Sequence, residues 1–263
     1  MAVTSHAPTN AISVTARPIG LMRVAVVSDI HANLPALEAA LRAIDDEAPD
    51  ALWCLGDVVG YGPHPNECCA VVHERADLCL AGNHDLAVLG SLDIADFSPD
   101  AAASARWSAS VLKPEARAFL EPLPSLERRD GVELFHASPR DPVWDYVLTE
   151  QGAVDALALT EAPLVLIGHT HVAMALTPEQ GWVAGGLAPG GATAELEGRR
   201  WLLNPGSVGQ PRDGDARAAW LLIDFAVGRA AFRRVPYPIE QTQAAIREHG
   251  LPESLAARLA AGQ

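Results

Sequence analysis

Aspartate, histidine and asparagine residues that can bind metal ions follow directly after five short apolar runs in this 263-residue chain. The residues are Asp29, His31, Asp57, Asn83, His84, His136, His169 and His171. A single segment of this kind is more often a capping aspartate beside a surface histidine. Chance would scatter such residues along the chain, so their repeated position after apolar runs indicates one shared site.

These side chains form a mixed set of nitrogen and oxygen ligands. Imidazole, carboxylate and carboxamide groups together suit Zn, Mn, Fe, Co or Ni better than Ca or Mg, which prefer oxygen ligands alone. Cysteine is absent from the set, which argues against a structural zinc site. The set offers more ligands than one ion needs, unless a carboxylate bridges two ions. Two ions about 3.5–4 Å apart clamp the attacking and leaving oxygens of an in-line displacement. The set therefore predicts a two-metal hydrolase for phosphate esters.

Apolar β-branched runs alternate with helical patterns along most of the chain. We expect strands at residues 23–28, 51–55, 78–80, 132–135, 164–167 and 219–225. We expect helices from residue 34, at 65–75, at 98–120 with an interruption at Pro114, at 149–159, and as a C-terminal pair. The alternation predicts βαβ units and a largely parallel sheet. Ligands bind beyond the carboxyl ends of such strands, where the candidate residues lie.

Two local patterns depart from this alternation. Asp130-Gly131 suits the tight turn of a β-hairpin. From Val172 onward the chain has short apolar runs and Gly-rich turns, which predict antiparallel pairing.

The composition restricts the class of substrate. A hydrophobic fraction of 49% is ordinary for a globular protein with a buried core. The net charge of -14 argues against binding to extended nucleic acid, because such proteins need a basic face. Bound divalent cations can reverse the local sign of charge. A small anionic substrate therefore remains compatible with the acidic chain.

Compartment and domain organisation follow from what the sequence lacks. No apolar stretch reaches the about 18 residues that span a bilayer, and residues 1–21 have no continuous apolar core of a signal peptide. The four cysteines include no C-x-x-C pair, so we expect reduced thiols and a cytoplasmic protein. We expect residues 1–21 to be a flexible extension and residues 22–263 to form a single domain.

The ligand-bearing segments resemble the calcineurin-like metallophosphoesterases, in the same order along the chain. The matching segments are residues 28–31, 56–57, 82–85, 136 and 168–171. Residues 57–63 and 204–212 look like those of small bacterial phosphodiesterase-type members. The resemblance implies an α/β fold, a four-layer sandwich of two facing mixed β-sheets flanked by helices. It also implies phosphodiester hydrolysis by direct attack of a metal-bridging hydroxide.

The resemblance assigns roles to individual residues. It implies that Asp29, His31 and His171 hold one metal ion, that Asn83, His136 and His169 hold the other, and that Asp57 bridges both. His84 would protonate the leaving-group oxygen or steady the transition state, and Asp85 would orient its ring. An imidazolium beside a leaving alkoxide is worth about 10²–10⁴-fold in rate.

Further contacts with substrate are expected from polar residues near these segments: Asn33, Tyr61, Arg140 and Arg212. His64 lies in the same Gly/Pro-rich loop as Tyr61 and could line the cleft. We expect Ser207 to belong to a tight turn under the site and not to act as a nucleophile, because no residue is assigned as its base.

Alternative functions remain open at this stage. The chain could be a phosphomonoesterase that acts on proteins or small molecules, or a dinucleoside polyphosphate hydrolase. A non-catalytic scaffold that binds a protein partner is the alternative outside enzymes. The expected partner is a small phosphate ester, with no membrane contact; the sequence leaves the oligomeric state undetermined.

Overall fold

Twelve strands and eight α-helices carry the predicted ligand segments in the computed structural model, which describes residues 18–263. The strands are β1 Arg23–Val27, β2 Ala51–Cys54, β3 Leu78–Cys79, β4 Leu126–Arg129, β5 Val132–Phe135, β6 Leu164–Leu166, β7 Met174–Pro178, β8 Val183–Leu187, β9 Thr193–Glu195, β10 Trp201–Asn204, β11 Ala218–Asp224 and β12 Arg229–Val235. The helices are α1 Leu34–Glu47, α2 Pro65–Arg75, α3 Asn83–Leu89, α4 Pro99–Val111, α5 Pro114–Leu120, α6 Glu150–Leu157, α7 Ile239–Glu248 and α8 Glu253–Ala261.

The strands form two six-stranded sheets, and both are mixed. The first sheet has the order β3-β2-β1-β11-β12-β9, and the second has the order β4-β5-β6-β10-β7-β8. Pairing is parallel in β1–β2 and β2–β3 of the first sheet, and in β5–β6 and β6–β10 of the second. The other pairs are antiparallel. The mixed sheets implied by the resemblance are therefore confirmed.

The prediction of a largely parallel sheet from the β/α alternation is wrong. After β6 the chain contains no further helix until α7, and its strands return through short turns. These strands add antiparallel edges to both sheets. The hairpin of β11 and β12 also corrects the prediction of one strand before the C-terminal helices. β12 carries three arginines among seven residues, so its sequence does not read as an apolar run.

Alternating side chains of β1 show how the layers pack. Val24 and Val26 are buried between the two sheets, together with Leu134 of β5 and Leu166 of β6. The opposite side chains of β1 pack with α1 and α2 in a second core. A third core joins the outer face of the second sheet to α6. The order of layers is thus helices, sheet, sheet, helices, as period-2 alternation in a doubly covered strand requires.

Local signals in the sequence determine several element boundaries. Pro114 lacks a backbone N–H and begins α5, which separates this helix from α4. Asp130 and Gly131 have φ of 45° and 85°, as a type I′ hairpin turn requires. Thr149 caps α6, because its hydroxyl oxygen accepts a hydrogen bond from the Gly152 N–H at 3.0 Å.

The N-terminal extension is described only in its last residues. Residues 1–17 lie outside the described part of the chain. Ile19–Leu21 form a short 3₁₀ helix, and Ile19 packs against the core between the sheets. The four cysteines are free thiols, as expected. Within residues 18–263, no helix combines the length and the apolar character that a membrane crossing requires.

Candidate metal centre

The backbone at the strand ends adopts a conformation that non-glycine residues rarely take. The φ angles are 54° at Asp29, 50° at His31, 53° at Asp57, 64° at His169 and 60° at His171. Each left-handed residue costs of order 1–3 kcal/mol and persists only where its surroundings hold it. Five such residues in the predicted ligand set indicate that the fold holds these side chains in a defined functional geometry.

A first group of ligands comes from three separate strand ends. The carboxylate and imidazole atoms of Asp29, His31, Asp57 and His171 lie within 4.8 Å of one another. All four side chains are buried. His171 Nε2 lies 3.4 Å from Asp29 Oδ1, and His31 Nε2 lies 3.5 Å from Asp57 Oδ2. The geometry brings together the residues that the resemblance assigned to one ion and to the bridge.

Backbone carbonyls determine the tautomers of the two histidines. His31 Nδ1 lies 3.1 Å from the Val59 oxygen, and His171 Nδ1 lies 2.7 Å from the Gln210 oxygen. Because a carbonyl only accepts, each Nδ1 carries the proton and each Nε2 offers a lone pair. These two Nε2 atoms are 3.0 Å apart. Two facing lone pairs repel each other in the absence of a cation, so this pair suits a metal ion.

A second group of ligands repeats this arrangement. Ligand atoms of Asp57, His136 and His169 also lie within 4.8 Å of one another. His136 Nδ1 lies 2.9 Å from the Leu55 carbonyl oxygen, which leaves Nε2 with a lone pair. That Nε2 faces the Asn83 carboxamide oxygen at 3.2 Å. Two acceptors again face each other, and both can bind one cation.

The two oxygens of Asp57 have different surroundings. Oδ1 accepts a hydrogen bond from the His84 backbone N–H at 2.9 Å. Oδ2 is buried without a hydrogen-bond donor among the described residues, 3.5 Å from His31 Nε2 and 3.6 Å from His136 Nε2. His169 Nε2 is also buried without a partner in this part of the chain. Unpaired buried polar atoms are costly, so their common orientation fits a divalent metal site.

Burial shifts the pKa values of these ligands toward their neutral forms. It raises the pKa of Asp29 to about 7, and it raises the pKa of Asp57 well above the usual range for aspartate. It lowers the pKa of His169 to about 2, and the pKa values of His31 and His171 fall well below the usual range. A bound cation favours ionised carboxylates and neutral imidazoles.

His84 lies beside this centre but does not join either group. Its ring centroid is 4.3 Å from that of Tyr61 and 4.8 Å from that of Phe97. Its Nδ1 is buried against Gly60 and has no partner among the described residues, so Nε2 is the nitrogen that faces the cleft. Burial lowers the pKa of His84 well below its usual range, and the charge of Arg212 lowers it further.

Asp85 does not orient the His84 ring, which corrects the expectation from the resemblance. Its Oδ1 accepts a hydrogen bond from the Val59 N–H at 3.0 Å, and its Oδ2 accepts one from the Gly82 N–H at 2.9 Å. His84 and Asp85 are successive residues of α3, and neighbouring positions on a helix do not face each other. Asp85 therefore ties two ligand-bearing loops together instead.

An open cavity of about 680 Å³ lies next to the centre. Its lining includes Tyr61, Asn83, His84, Phe97, Trp144, Tyr146, Arg212 and Arg258. The ring centroid of Tyr146 is 4.0 Å from that of His169, so the cavity reaches the Asp/His cluster as well as His84. The sequence did not predict Phe97, Trp144, Tyr146 or Arg258, because they belong to no motif. A weak signal is that aromatic residues make up only 5% of the chain, yet two lie in the loop after His136.

Among the predicted substrate contacts, Tyr61 and Arg212 line this cavity. Arg140 does not: its Nε binds Asp145 at 2.8 Å, and its Nη1 lies 3.8 Å from Asp155. The nearby carboxylates neutralise this guanidinium, which corrects the prediction. His64 precedes α2 as its N-cap and is not among the lining residues.

Asn33 is also not a substrate contact, because all its hydrogen-bonding atoms are used within the fold. Its Oδ1 accepts hydrogen bonds from the Ala36 N–H at 3.3 Å and the Thr242 hydroxyl at 2.8 Å. Its Nδ2 donates to the Gly209 carbonyl at 2.8 Å and to the Tyr237 hydroxyl at 3.2 Å. Asn33 thus caps α1 and joins it to the C-terminal part of the chain.

The predicted turn at Ser207 is confirmed. The Ser207 hydroxyl donates to the Asp29 carbonyl at 2.7 Å and accepts from the Gln210 N–H at 2.8 Å. Both contacts are made to the backbone under the centre, so the hydroxyl supports the loop that carries Asp29.

Comparison with known proteins assigns this arrangement to a family. The family model of the calcineurin-like phosphoesterase superfamily domain matches residues 22–226. The chain belongs to this superfamily. With the Asp/His cluster and the phosphoesterase relatives, this makes the protein a metal-dependent phosphoester hydrolase.

Individual relatives of this phosphoesterase cover most or part of its length. An uncharacterized protein of Methanocaldococcus jannaschii is 36% identical over 245 residues, which cover 91% of this chain and 98% of that protein. The crystal structure of a metallophosphoesterase from Sphaerobacter thermophilus has a TM-score of 0.84 and 40% identity, and the match covers 92% of this chain and 99% of that chain. A symmetrical bis(5′-nucleosyl)-tetraphosphatase of Nitrosococcus oceani is 31% identical over 149 residues, 54% of this chain and 52% of that protein.

Asn33→Ala should destabilise the phosphoesterase by about 2–4 kcal/mol, because the helix cap is lost and several buried partners become unpaired. Chemical denaturation measures this free energy of unfolding. Thr149→Ala is the matched control, since it removes a single cap hydrogen bond and should cost about 1 kcal/mol. If both variants lost the same free energy of unfolding and Asn33→Ala also had a raised KM, Asn33 would have to be a substrate contact after all.

Gly60→Ala should lower kcat by about tenfold or more, because the added Cβ displaces His84, and the resemblance to the superfamily implies a general-acid contribution of this residue to the rate. A Cβ at Gly60 would lie 2.4 Å from His84 Nδ1, whereas a Cβ at Gly90 meets nothing within 4 Å. The two glycines have φ of 86° and 79°, so Gly90→Ala controls for the backbone strain. The measurement is hydrolysis of a 4-nitrophenyl phosphate ester. Equal activity in both variants would show that the packing of His84 against Gly60 does not matter.

Metal binding should release protons below about pH 7, because burial raises the pKa of Asp29 to about 7 in the metal-free protein. The protonated carboxyl must ionise to bind a cation, so metal affinity should rise with pH up to about pH 7, by about tenfold per unit for each proton displaced. Isothermal titration calorimetry at pH 6, in two buffers of different ionisation enthalpy, counts the released protons. Identical enthalpies in both buffers would contradict the prediction.

Proposed function

We propose that this phosphoesterase hydrolyses phosphodiesters with two divalent transition-metal ions held side by side. The observation that carries the proposal is the unpaired Oδ2 of Asp57, which lies 3.5 Å from His31 Nε2 and 3.6 Å from His136 Nε2. One carboxylate between two ligand groups suits a bridging position. The remaining ligands would be Asp29, His31 and His171 for one ion, and Asn83, His136 and His169 for the other.

The ions would supply Lewis acidity, which activates water as the nucleophile and neutralises charge on the phosphoryl oxygens. Manganese, iron, cobalt, nickel and zinc all suit this set of ligands, and availability decides among them. The carbonyl oxygens of Val59 and Gln210 keep a proton on Nδ1 of His31 and His171, so their Nε2 atoms stay available as ligands.

Two side chains outside the ligand groups would act on the substrate. The Arg212 guanidinium lines the cavity and can donate two parallel hydrogen bonds to phosphoryl oxygens. His84 would donate a proton or a hydrogen bond from Nε2 to the leaving-group oxygen, since its Nδ1 is enclosed against Gly60. Tyr61 holds its ring against both His31 and His84, at 4.6 Å and 4.3 Å between centroids, and so keeps the two imidazoles in place.

The cavity supports a diester over a monoester. Its volume of about 680 Å³ and its open mouth leave room for organic groups on two ester oxygens. A dinucleoside polyphosphate is the second candidate substrate, since a relative in Nitrosococcus oceani bears that activity in its name. The aromatic rings of Phe97, Trp144 and Tyr146 favour this candidate too, because nucleobases stack on such rings.

A panel of metals and substrates tests the proposal. Metal-free protein is reconstituted with Mn, Fe, Co, Ni, Zn or Mg. Turnover is then measured on bis(4-nitrophenyl) phosphate, 4-nitrophenyl phosphate, cyclic AMP, diadenosine tetraphosphate and a phosphopeptide. We expect kcat/KM for the aryl diester to exceed that for the monoester by about tenfold or more, with a transition metal more active than Mg. The reverse order would make the protein a phosphomonoesterase. No turnover with any metal would favour a binding scaffold.

Asp57→Asn should remove at least one bound ion and lower kcat by about 10³-fold or more, since charge stabilisation by metal ions is worth several kcal/mol. Elemental analysis gives the metal content, and the aryl diester gives the rate. Asp45→Asn is the matched control, because Asp45 is exposed and pairs with Arg75 away from the centre. Full activity of the unmodified protein in metal-free buffer would reject the mechanism.

A further inference from the structure

Two arginines lie together over one aromatic ring at the cavity. The guanidinium carbons of Arg212 and Arg258 are 5.6 Å and 6.0 Å from the ring centroid of Tyr61. Both groups also share one acceptor, the side-chain oxygen of Gln210. Arg212 Nη2 donates to it at 2.8 Å, and Arg258 Nη1 lies at 3.5 Å. The two guanidinium cations therefore contact the same neutral amide oxygen and the same aromatic ring.

Neither guanidinium has a carboxylate partner within 4.0 Å in the part of the chain that the structure describes. Other partly buried arginines, such as Arg23, Arg233 and Arg234, do form ion pairs with carboxylates. The chain has a net charge of -14, so acidic residues are plentiful elsewhere. Adjacent like charges repel each other, and an anion placed between them would remove this repulsion.

The packing of α8 places Arg258 at this position. Leu255 and Leu259 of α8 are buried, and Tyr61 packs against the same cluster. The carbonyl oxygen of Gly262 at the end of α8 accepts a hydrogen bond from the Gly214 N–H at 3.0 Å, which ties α8 to the loop that carries Arg212. α8 lies beyond residues 22–226, the part of the chain that matches the superfamily domain. This arginine is therefore supplied by the C-terminal helical pair.

The two arginines differ in their distance from the metal ligands. The Arg212 N–H donates to the His171 carbonyl at 3.1 Å, so Arg212 lies directly beside a ligand loop. Arg258 lies one residue further away: it contacts Tyr61, whose ring contacts His31, and Gln210, whose carbonyl accepts a hydrogen bond from His171. A phosphoryl group at the metal ligands would meet Arg212 first, and Arg258 would remain available for a second anionic group.

We propose that Arg258 forms a second anion site beside Tyr61, which binds a phosphate of the substrate other than the one that is cleaved, while Arg212, next to the ligand loop, binds the cleaved phosphate. This inference rests on the proposed function and narrows its substrate class to phosphate esters that carry a second phosphate. Arg258 is then a specificity-determining residue. Bidentate contacts between arginine and phosphate give such a site its strength and direction.

Competitive inhibition of aryl diester hydrolysis tests the site. The reporter is bis(4-nitrophenyl) phosphate at saturating metal, and the inhibitors are adenosine 5′-monophosphate, adenosine 5′-diphosphate and adenosine 3′,5′-bisphosphate. We expect at least one of the two doubly phosphorylated nucleotides to bind about tenfold more tightly than the monophosphate. Which of them binds more tightly reports the spacing between the two sites. Arg258→Gln should bring this ratio of inhibition constants close to one, and Arg258→Lys should restore part of it.

Arg106→Gln is the matched control, since Arg106 is exposed on α4 and is not a lining residue of the cavity. Like Arg258→Gln, this variant removes one positive charge, but it should keep the wild-type ratio of inhibition constants. A wild-type ratio near one, or an unchanged ratio in Arg258→Gln, would overturn the second site. If Arg258→Gln weakened the monophosphate and the doubly phosphorylated nucleotides by the same factor, the ratio of inhibition constants would not change. This outcome would mean that both arginines bind the cleaved phosphate. Absence of reporter turnover with every metal would instead reject the proposed function, so the two failures are distinguishable.

Discussion

Asp57 is a fully buried carboxylate held between two β-sheets, and its two oxygens serve different purposes. One oxygen is fixed by the His84 backbone N–H, and the other has no donor among the described residues. Around this second oxygen stand His31 from the first sheet and His136 from the second. An unpaired buried acceptor facing imidazole lone pairs is unfavourable unless a cation binds. The arrangement of the centre therefore favours metal binding and destabilises the metal-free protein.

This constraint explains the backbone around the centre. The ligand-bearing loops cross close to one another, and the gaps between them are filled by glycines that accept no side chain. A Cβ at Gly82 would lie 2.0 Å from Asp57 Oδ1, and one at Gly168 would lie 2.1 Å from Ser28 Oγ. The left-handed residues at the strand ends turn their side chains into the same space. Because both sheets contribute ligands, the site forms only when the whole sandwich has folded.

The sequence identified the clustered Asp and His residues through a local signal. Each of them lies within a few residues of the end of a strand, so an apolar run and the next polar residues locate it without knowledge of the rest of the fold. The same reasoning failed for contacts that depend on direction or on distant packing. Asp85 adjoins His84 in the sequence but points elsewhere on the helix. Arg140 is neutralised by neighbouring acids, whereas Arg258 reaches the cavity through the docking of α8. No local pattern encodes either outcome.

The distribution of charge links the site to the size of its substrate. The chain as a whole is strongly acidic, with a net charge of -14, and a net charge of this sign disfavours the approach of long polyanions. The cavity lining includes two arginines, Arg212 and Arg258, beside the carboxylate of Asp96, and the two guanidinium groups together with bound cations would meet an anion there. Electrostatic attraction at such a cleft acts within about one Debye length, roughly 8 Å at physiological ionic strength. A small phosphate ester fits inside this range, but a nucleic acid chain extends beyond it into the acidic surface. The same field that draws in the substrate therefore also limits its length.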